Sequence, residues 1–123
     1  MLTPIPTNQY IQTIGRRKTS VAQVRLSHGT GDMTVNGKAF GVYFPLALIQ
    51  KEILSPLKEA GLEGQYDISA KISGGGAHGQ AGAMRLGIAR GLLLINKDFR
   101  TVLKKHGFLS RDARKRERKK FGK

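Results

Sequence analysis

The basic residues near the end of the sequence have the type and spacing that most clearly indicate a chemistry, the binding of phosphate groups. Residues 104–123 include ten Lys or Arg and two acidic residues, which supplies +8 of the formal net charge of +14. Arg can hold phosphate oxygens through paired hydrogen bonds and can stack on flat rings. Such a segment buries too little apolar surface to order itself alone, so the composition predicts an extended tail over 108–123 that binds a polyanion. Its candidate phosphate contacts are Arg111, Arg114, Lys115, Arg116, Arg118, Lys119 and Lys120.

Two shorter groups of residues could contact phosphate as well. Arg16, Arg17 and Lys18 lie between two predicted strands, where three adjacent cations either bind phosphate or form an ordinary charged turn. The glycine-rich segment 74–79 precedes a predicted helix, a place where backbone N–H groups and the helix dipole favour an anion. It lacks the Gly-Lys-Ser/Thr ending of a nucleotide P-loop, so ATP binding is not expected. Its glycines fit either a tight strand-to-helix turn or a close approach of RNA backbone.

The helix after this segment carries further candidates. Arg85 and Arg90 are separated by roughly 140° around a helix axis, so the two side chains need not share a face. Each fits either a solvated position or an RNA contact. The candidate contacts from the segment and the helix are Gly75, Gly76, His78, Gln80, Arg85 and Arg90.

The sequence lacks the patterns that catalysis and metal binding need. His28, His78 and His106 have neither metal-ligand spacing nor partners for a catalytic triad. With eight acidic residues in the chain, no paired carboxylates suggest a two-metal site. Cysteine is absent, which excludes disulfides and thiolate metal sites. We therefore expect no catalytic residue, no metal and no cofactor.

Nucleic acid is a better polyanionic partner for this chain than a membrane surface. The chain has no Trp, and its most basic segment lacks the apolar face of a membrane-bound helix. Residues 1–8 have no basic region followed by an apolar run, so they do not resemble a signal peptide. No stretch approaches the ~20 apolar residues that span a bilayer. These features predict a cytoplasmic protein that does not bind membranes.

Hydrophobic periodicity predicts the strands that must position these residues. Residues 10–14 are strand-like, and residues 15–19 are expected to interrupt the pattern. Residues 65–73 form the clearest strand, because apolar and polar residues alternate along it. The remaining predicted strands are 21–26, 32–35 and 38–40, the last two joined by a tight turn at Asn36-Gly37.

Three helices are predicted as well. The first has Pro45 in its first turn, is interrupted at Ser55-Pro56 and ends at Gly61. The second spans about 80–96, and many small residues in it would suit close packing on a sheet. The third spans 98–105, with Asp98 as its N-terminal cap.

This element order predicts an α+β fold, a two-layer sandwich with helices on one face of a mostly antiparallel sheet. It divides the chain into a flexible N-terminus over 1–8, a globular α+β domain over 9–107 and an extended basic tail over 108–123.

Several segments together resemble one protein family. They are Gly15-Arg16-Arg17-Lys18, residues 22–26, residues 35–37 followed by Tyr43-Phe44, the block 74–92 and the basic segment formed by residues 109–114 and 117–120. The chain is similar over 10–123 to the ninth protein of the small ribosomal subunit, the universal S-nine family, in its bacterial type. The glycine block through Arg90 is the most specific part of this resemblance.

The resemblance implies a fold and a set of partners. The fold would be that of the second domain of small-subunit ribosomal protein five, with a left-handed βαβ crossover in place of the usual right-handed one. The protein would be a structural constituent of the ribosome in translation, bound to 16S-type rRNA and neighbouring proteins in the small-subunit head. Its tail would be directed toward the P-site tRNA. In the family the residues that touch this tRNA lie beyond the position of Lys123, so none of the residues here is assigned that contact.

Two other functions fit parts of the pattern. The protein subunit of ribonuclease P has a similar size, charge and fold type, but the Arg-Asn-Arg-like core expected of it is not found. Histone-like DNA-binding proteins use dimeric β-arms with an apolar intercalating tip, and no such arm is evident. The sequence does not distinguish a bacterial from an organellar ribosome.

Overall fold

A computed structural model describes residues 9–105 and 107–109. The flexible N-terminus predicted for 1–8 lies outside these ranges, as do His106 and residues 110–123 of the predicted tail. Phe108 and Leu109, the first two residues of that tail, pack against the core. The described residues therefore cover the predicted globular region and the start of the tail.

Five strands form one mixed sheet. Their bounds are β1 Ile11–Arg17, β2 Ser20–His28, β3 Met33–Val35, β4 Lys38–Ala39 and β5 Tyr66–Ser73. The strand order across the sheet is β1-β2-β5-β3-β4. β1 pairs with β2, β2 with β5 and β3 with β4 in antiparallel fashion, whereas β3 runs parallel to β5. The predicted α+β class and the mostly antiparallel sheet are confirmed.

The two faces of the sheet differ in burial, as the alternation in the sequence predicts. Ala22, Val24 and Leu26 of β2 are buried, and so are the corresponding alternate residues of β5. Arg25 and Lys71 point to the opposite face and are exposed. The turn between β3 and β4 also matches its prediction, because Asn36 and Gly37 both have positive φ, 52° and 79°, as a type I′ turn requires.

The helices cover the buried face. Their bounds are α1 Phe40–Tyr43, α2 Ala47–Ala60, α3 Ala77–Ile95 and α4 Arg100–Lys105, with a 3₁₀ turn Lys97–Phe99 before α4. α3 lies across β1 and β2, and α2 packs against α3. The apolar residues that recur along α3 at intervals of three or four positions are fully buried: Met84, Ile88, Leu92 and Ile95. Within the described residues, no helix is long and apolar enough to cross a membrane.

α3 approaches the sheet so closely that backbone meets backbone. A Cβ placed on Gly15 of β1 would overlap the carbonyl oxygen of Ala83, and one placed on Gly87 would lie 2.6 Å from Cγ2 of Val24. Thr13 adds a hydrogen bond of 2.6 Å from its hydroxyl to the carbonyl oxygen of Gly87. The small residues of α3 therefore allow the close packing that the sequence suggested.

The predicted interruption of the first strand at 15–19 is wrong for its first three residues. β1 continues through Gly15 and Arg16 to Arg17, and each of these residues pairs with β2. Gly15 is needed here because α3 lies against it, and not because the strand breaks. Only Lys18, with φ 57°, and Thr19 form the turn.

The first predicted helix begins later and is not interrupted. Pro45 lies two residues before the start of α2 and is not in its first turn, since the helix starts at Ala47 with Leu46 as N-cap. Pro56 lies inside the helix and has no N–H to donate to the carbonyl oxygen of Glu52. The Ser55 hydroxyl donates to that same oxygen at 2.6 Å, which satisfies the group that proline leaves without its usual donor. The predicted end at Gly61 is confirmed by its left-handed conformation, φ 72°.

Two other helix boundaries differ from the prediction. α3 begins at Ala77, three residues before the predicted start, so His78 belongs to its first turn. Asp98 is not the N-cap but lies inside the 3₁₀ turn Lys97–Phe99 that precedes α4. Asn96 is the N-cap of this turn, and its side chain accepts a hydrogen bond of 2.9 Å from the N–H of Asp98.

Candidate nucleic-acid interface

The glycine-rich segment packs directly on residues 16–19, the end of β1 and the turn after it, which we call the basic turn. Gly74 and Gly75 have positive φ, 78° and 66°, and a Cβ on either would overlap an atom of Thr19 or Ser20. Ser20 is fully buried, and its hydroxyl donates to the carbonyl oxygen of Gly74 at 3.0 Å. Two groups of residues that are more than fifty positions apart in sequence therefore form one surface.

The glycines of this segment have different reasons to be glycine. Gly74 and Gly75 require both the positive φ and the missing side chain, which supports the tight strand-to-helix turn at these two positions. A Cβ on Gly76, in contrast, would meet no described atom within 4 Å, and its φ of −105° suits any residue. Intramolecular crowding therefore does not account for Gly76.

A network of polar side chains holds the start of α3. The Gln80 amide donates to the carbonyl oxygen of Gly74 at 3.0 Å, and Tyr43 Oη donates to Gln80 Oε1 at 2.8 Å. Asn36 Nδ2 lies within hydrogen-bond distance of Tyr43 Oη, 3.2 Å, and of the carbonyl oxygen of Ile72, 3.0 Å. Gln80 thus holds the glycine segment through a hydrogen bond within the protein, and its predicted RNA contact stays a prediction.

The N-terminus of α3 is open toward solvent. Gly76 is its N-cap, no described side chain caps it, and its described first turn has no acidic residue. Gly76, Ala77 and His78 are all exposed. The first N–H groups of a 19-residue helix therefore point outward with the positive end of the helix dipole, an arrangement that attracts phosphate.

Cations of the basic turn flank this helix end. The side chain of Arg17 runs along α3, since a Cβ on Gly82 would overlap Arg17 Cδ. Lys18 is exposed, and so is Arg16, but Arg16 alternates with Gly15 and Arg17 along β1 and therefore lies on the opposite face of the sheet. Arg17, Lys18, Gly75, Gly76 and His78 therefore belong to one basic surface at the start of α3, which we call the α3 N-terminal surface.

Arg85 and Arg90 face away from each other, each toward another element. Arg85 Nη1 lies 3.4 Å from the carboxylate of Glu52 in α2, and its guanidinium lies 5.7 Å from the centre of the Phe108 ring. Arg90 Nη1 donates to the carbonyl oxygen of Ile14 in β1 at 2.6 Å. Both groups connect α3 to a neighbouring element, and their predicted RNA contacts stay predictions. The predicted tail contacts from Arg111 to Lys120 lie outside the described residues.

Sequence reasoning missed a second group of polar residues, on the face of the sheet that no described helix covers, which we call the uncovered face. Tyr10, Arg25 and Lys71 lie there, and the guanidinium of Arg25 is 4.6 Å from the centre of the Tyr10 ring. The strict alternation of β2 and β5 already places Arg25 and Lys71 on the face opposite the core. That signal was sufficient to identify them.

Asp67 is the acidic residue of this face within the described strands, and it stabilises the loop after β2. Its Oδ1 accepts hydrogen bonds from the N–H groups of Asp32 at 2.9 Å, Thr30 at 3.0 Å and Gly31 at 3.1 Å. These donors, with that of Asp32 the strongest, lower the pKa of Asp67 below its ordinary value although partial burial acts in the opposite direction. Nowhere in the described part of the chain, Asp67 included, are three His, Asp or Glu side chains grouped closely enough to hold a metal ion.

Known proteins resemble this chain over most of its length. A family model described as ribosomal protein S9/S16 matches residues 15–123. A protein of Cytophaga hutchinsonii named small ribosomal subunit protein uS9 is 49% identical over 115 residues, which are 94% of this chain and 90% of that protein. A protein of the same name from Renibacterium salmoninarum is 54% identical over 110 residues, 89% of this chain and 66% of its own length.

These matches confirm the resemblance seen in the glycine block and the basic segments. They also confirm that the chain is a ribosomal protein and not an enzyme, since the family is one of structural ribosomal components. The chain belongs to the ribosomal protein S9 family of the small ribosomal subunit, in its bacterial type.

Proposed function

We propose that this protein binds 16S-type rRNA in the head of the small subunit and that the α3 N-terminal surface is a phosphate contact of its globular part. The observation that carries the proposal is the packing of the glycine segment on the basic turn, which puts an open helix N-terminus beside Arg17 and Lys18. Both the dipole and the cations favour the same ligand, a phosphate group. The protein thereby supports translation as a structural constituent of the ribosome in the cytoplasm.

Packing within the protein does not explain why residue 76 is glycine, and we infer that contact with RNA does. Because a side chain there would meet open space, RNA backbone can approach the helix N-terminus closely. Contacts of this kind position the protein on RNA by shape and charge and do not depend on sequence. Affinity should therefore fall steeply with salt, whereas specificity should follow the folded form of the RNA.

A substitution at Gly76 tests the contact with the fold held constant. Gly76→Asp places an N-capping carboxylate on α3, which should leave the melting temperature unchanged or slightly higher, because Asp caps helices at least as well as Gly. The same charge repels phosphate, so the affinity for small-subunit rRNA should fall about tenfold. Binding is measured by filter retention or anisotropy and stability by thermal melting.

Gly76→Asn is the matched control, since it caps the helix without the charge. Its affinity should stay much closer to that of the unsubstituted protein than the affinity of Gly76→Asp does. If both variants bind rRNA as tightly as the unsubstituted protein, phosphate does not lie at this helix end and the proposed contact is wrong.

Two finer features of the family are part of the same proposal. The tail would be directed toward the P-site tRNA, and a cleavage reagent attached at Lys120→Cys in this cysteine-free chain should cut that tRNA in assembled subunits. Cleavage confined to rRNA would argue against this direction. The connection from β3 to the parallel strand β5, through β4, α1 and α2, would be the left-handed crossover, which an experimental structure of the subunit tests directly.

The ribonuclease P alternative is not favoured. The family match spans residues 15–123, and both relatives carry the name of a small-subunit protein. Sedimentation of the native protein with small subunits after a high-salt wash would agree with the ribosomal role.

A further inference from the structure

We propose that the uncovered face of the sheet is a second RNA-binding surface and that its cleft beside Tyr10 takes an unpaired nucleotide. The inference rests on the proposed function, because it assumes that the partner is RNA. It uses a different part of the protein, however. The α3 N-terminal surface lies at the start of a helix on the covered face, whereas the cleft lies over β2, β3 and β5 on the other face.

The cleft is large enough for a nucleotide, and several polar side chains line it. Its volume is about 540 Å³, which falls in the ~300–1,000 Å³ range of small-molecule sites. Its walls include the side chains of Tyr10, Arg25, Ser27, Thr34 and Ser69. The hydroxyl groups of Ser27, Thr34 and Ser69 can donate to or accept from a ribose 2′-OH or a base edge, the groups by which unpaired RNA is recognised.

One wall of the cleft offers flat surfaces for stacking. The Tyr10 ring is 52% exposed although the Arg25 guanidinium lies 4.6 Å from its centre. Arg25 Nε donates to Gln12 Oε1 at 2.9 Å, which holds the guanidinium in place. A second ring, that of His28, stacks on Tyr66 at the edge of the cleft with 5.8 Å between ring centres. Bases stack on aromatic rings and on Arg planes of this kind without regard to sequence.

The charge of this face favours RNA over a neutral protein segment, and its stacking surface favours RNA over an acidic one. Within the described strands it carries three cations, Arg16, Arg25 and Lys71. Asp32, in the loop after β2, lines the cleft together with the one carboxylate of the described strands on this face, that of Asp67. Oδ1 of that carboxylate already accepts three backbone hydrogen bonds. Arg25 and Lys71 are placed on adjacent strands, so both can reach the phosphates that flank a base in the cleft. An acidic peptide would use the cations but would leave the stacking surface unexplained.

Substitution of Tyr10 separates stacking from simple contact. Tyr10→Leu keeps an apolar side chain but removes the ring, and it should weaken binding to small-subunit rRNA about tenfold at about 150 mM monovalent salt. Tyr10→Phe keeps the ring and should bind within about twofold of the unsubstituted protein. Chemical footprinting of the rRNA should show one unpaired nucleotide that is protected by the Phe variant and exposed in the Leu variant.

Substitution of the cations tests the charge of the same face. Lys71→Gln should lower the salt slope of binding by about one, as the loss of one phosphate contact requires. Lys58→Gln is the control, because Lys58 is an exposed cation in the last turn of α2, on the covered side of the sheet. Its salt slope should stay unchanged. Thermal melts of all variants show whether the fold is intact.

The outcomes distinguish this inference from the function on which it rests. If Tyr10→Leu and Lys71→Gln bind rRNA like the unsubstituted protein while Gly76→Asp binds weakly, the sheet face is not an RNA surface and the proposed function still holds. If these two variants bind rRNA normally but lose a neighbouring protein from assembled subunits, the face is a protein interface and the inference is wrong. If the unsubstituted protein shows no preference for small-subunit rRNA, both proposals are wrong.

Discussion

The carboxylate of Asp67 shows how one residue can order a loop that has no regular structure of its own. Three consecutive N–H groups, those of residues 30–32, converge on its Oδ1. Hydrogen bonds of this kind favour the ionised form, which is why the pKa of Asp67 lies below its ordinary value. The loop joins β2 to β3 and borders the cleft on the uncovered face, so the charge of Asp67 contributes to the shape of that cleft.

Stability should therefore depend on pH through Asp67. A carboxyl group whose pKa is lower in the folded state stabilises the protein above its unfolded pKa, and this contribution is lost as the pH falls through the folded value. Asp67→Asn should lower the melting temperature at neutral pH and make it less sensitive to pH in the acid range. Thermal melts across this range measure both effects.

Glu63→Gln is the control, since it removes an exposed carboxylate after α2 and leaves the three N–H groups paired. An acid-range profile for Asp67→Asn that parallels the profile of the unsubstituted protein would show that Asp67 does not stabilise the loop through its charge.

Arg85 and Arg90 mark the limit of sequence reasoning at the scale of residues. Their separation around the helix was predictable from helix geometry alone. Their partners were not, because Glu52 and the carbonyl oxygen of Ile14 are brought near only by the packing of α2 and β1 on α3. The sequence shows that a position carries a cation, but only the tertiary structure shows which groups of the protein this cation already contacts.

At the scale of elements, the alternation of apolar and polar residues and the positive φ that Asn-Gly allows predicted most of the sheet. β2, β5 and the turn at Asn36-Gly37 follow from local sequence, since one face is buried and a type I′ turn needs positive φ twice. Two of the errors, at Gly15 and Pro56, occurred where the sequence suggests a break. In both places a contact elsewhere, α3 over Gly15 and the Ser55 hydroxyl near Pro56, lets the element continue.

Gly15 should consequently be one of the least tolerant positions of the fold. In Gly15→Ala the added methyl group would overlap the backbone of Ala83 and Gly87, and backbone cannot move aside as a flexible side chain can. Overpacking of a well-packed contact typically costs about 1–3 kcal/mol, so urea unfolding should show a loss of this size at constant slope. The fold itself should persist, as judged by circular dichroism.

Gly41→Ala is the matched control for this change. Its Cβ would have only an ordinary contact, 3.7 Å from the Gln50 side-chain nitrogen, so the free energy of unfolding should change little. Equal effects of the two substitutions would mean that α3 does not pack on β1 as closely as described.

At the scale of the whole molecule, the globular domain and the basic segment have different roles in the proposed binding of RNA. The α3 N-terminal surface is small and fixed in geometry, so it can position the protein on RNA. Residues 110–123 carry eight Lys or Arg and two acidic residues, so they supply +6 of the net charge of +14. Charge of this density opposes compaction of the free protein and favours its association with RNA.

Removal of residues 110–123 should therefore have opposite effects on stability and on binding. The deletion begins at 110 because Phe108 is buried and Leu109 packs against the core. Loss of self-repulsion should leave the melting temperature of the free domain equal or higher, whereas the salt slope of rRNA binding should fall by several units.

A replacement of the same length made of Gly and Ser separates charge from chain length and should bind like the deletion. A salt slope equal to that of the full chain would assign the counterion release to the globular domain alone, and the division of roles between domain and tail would then be wrong.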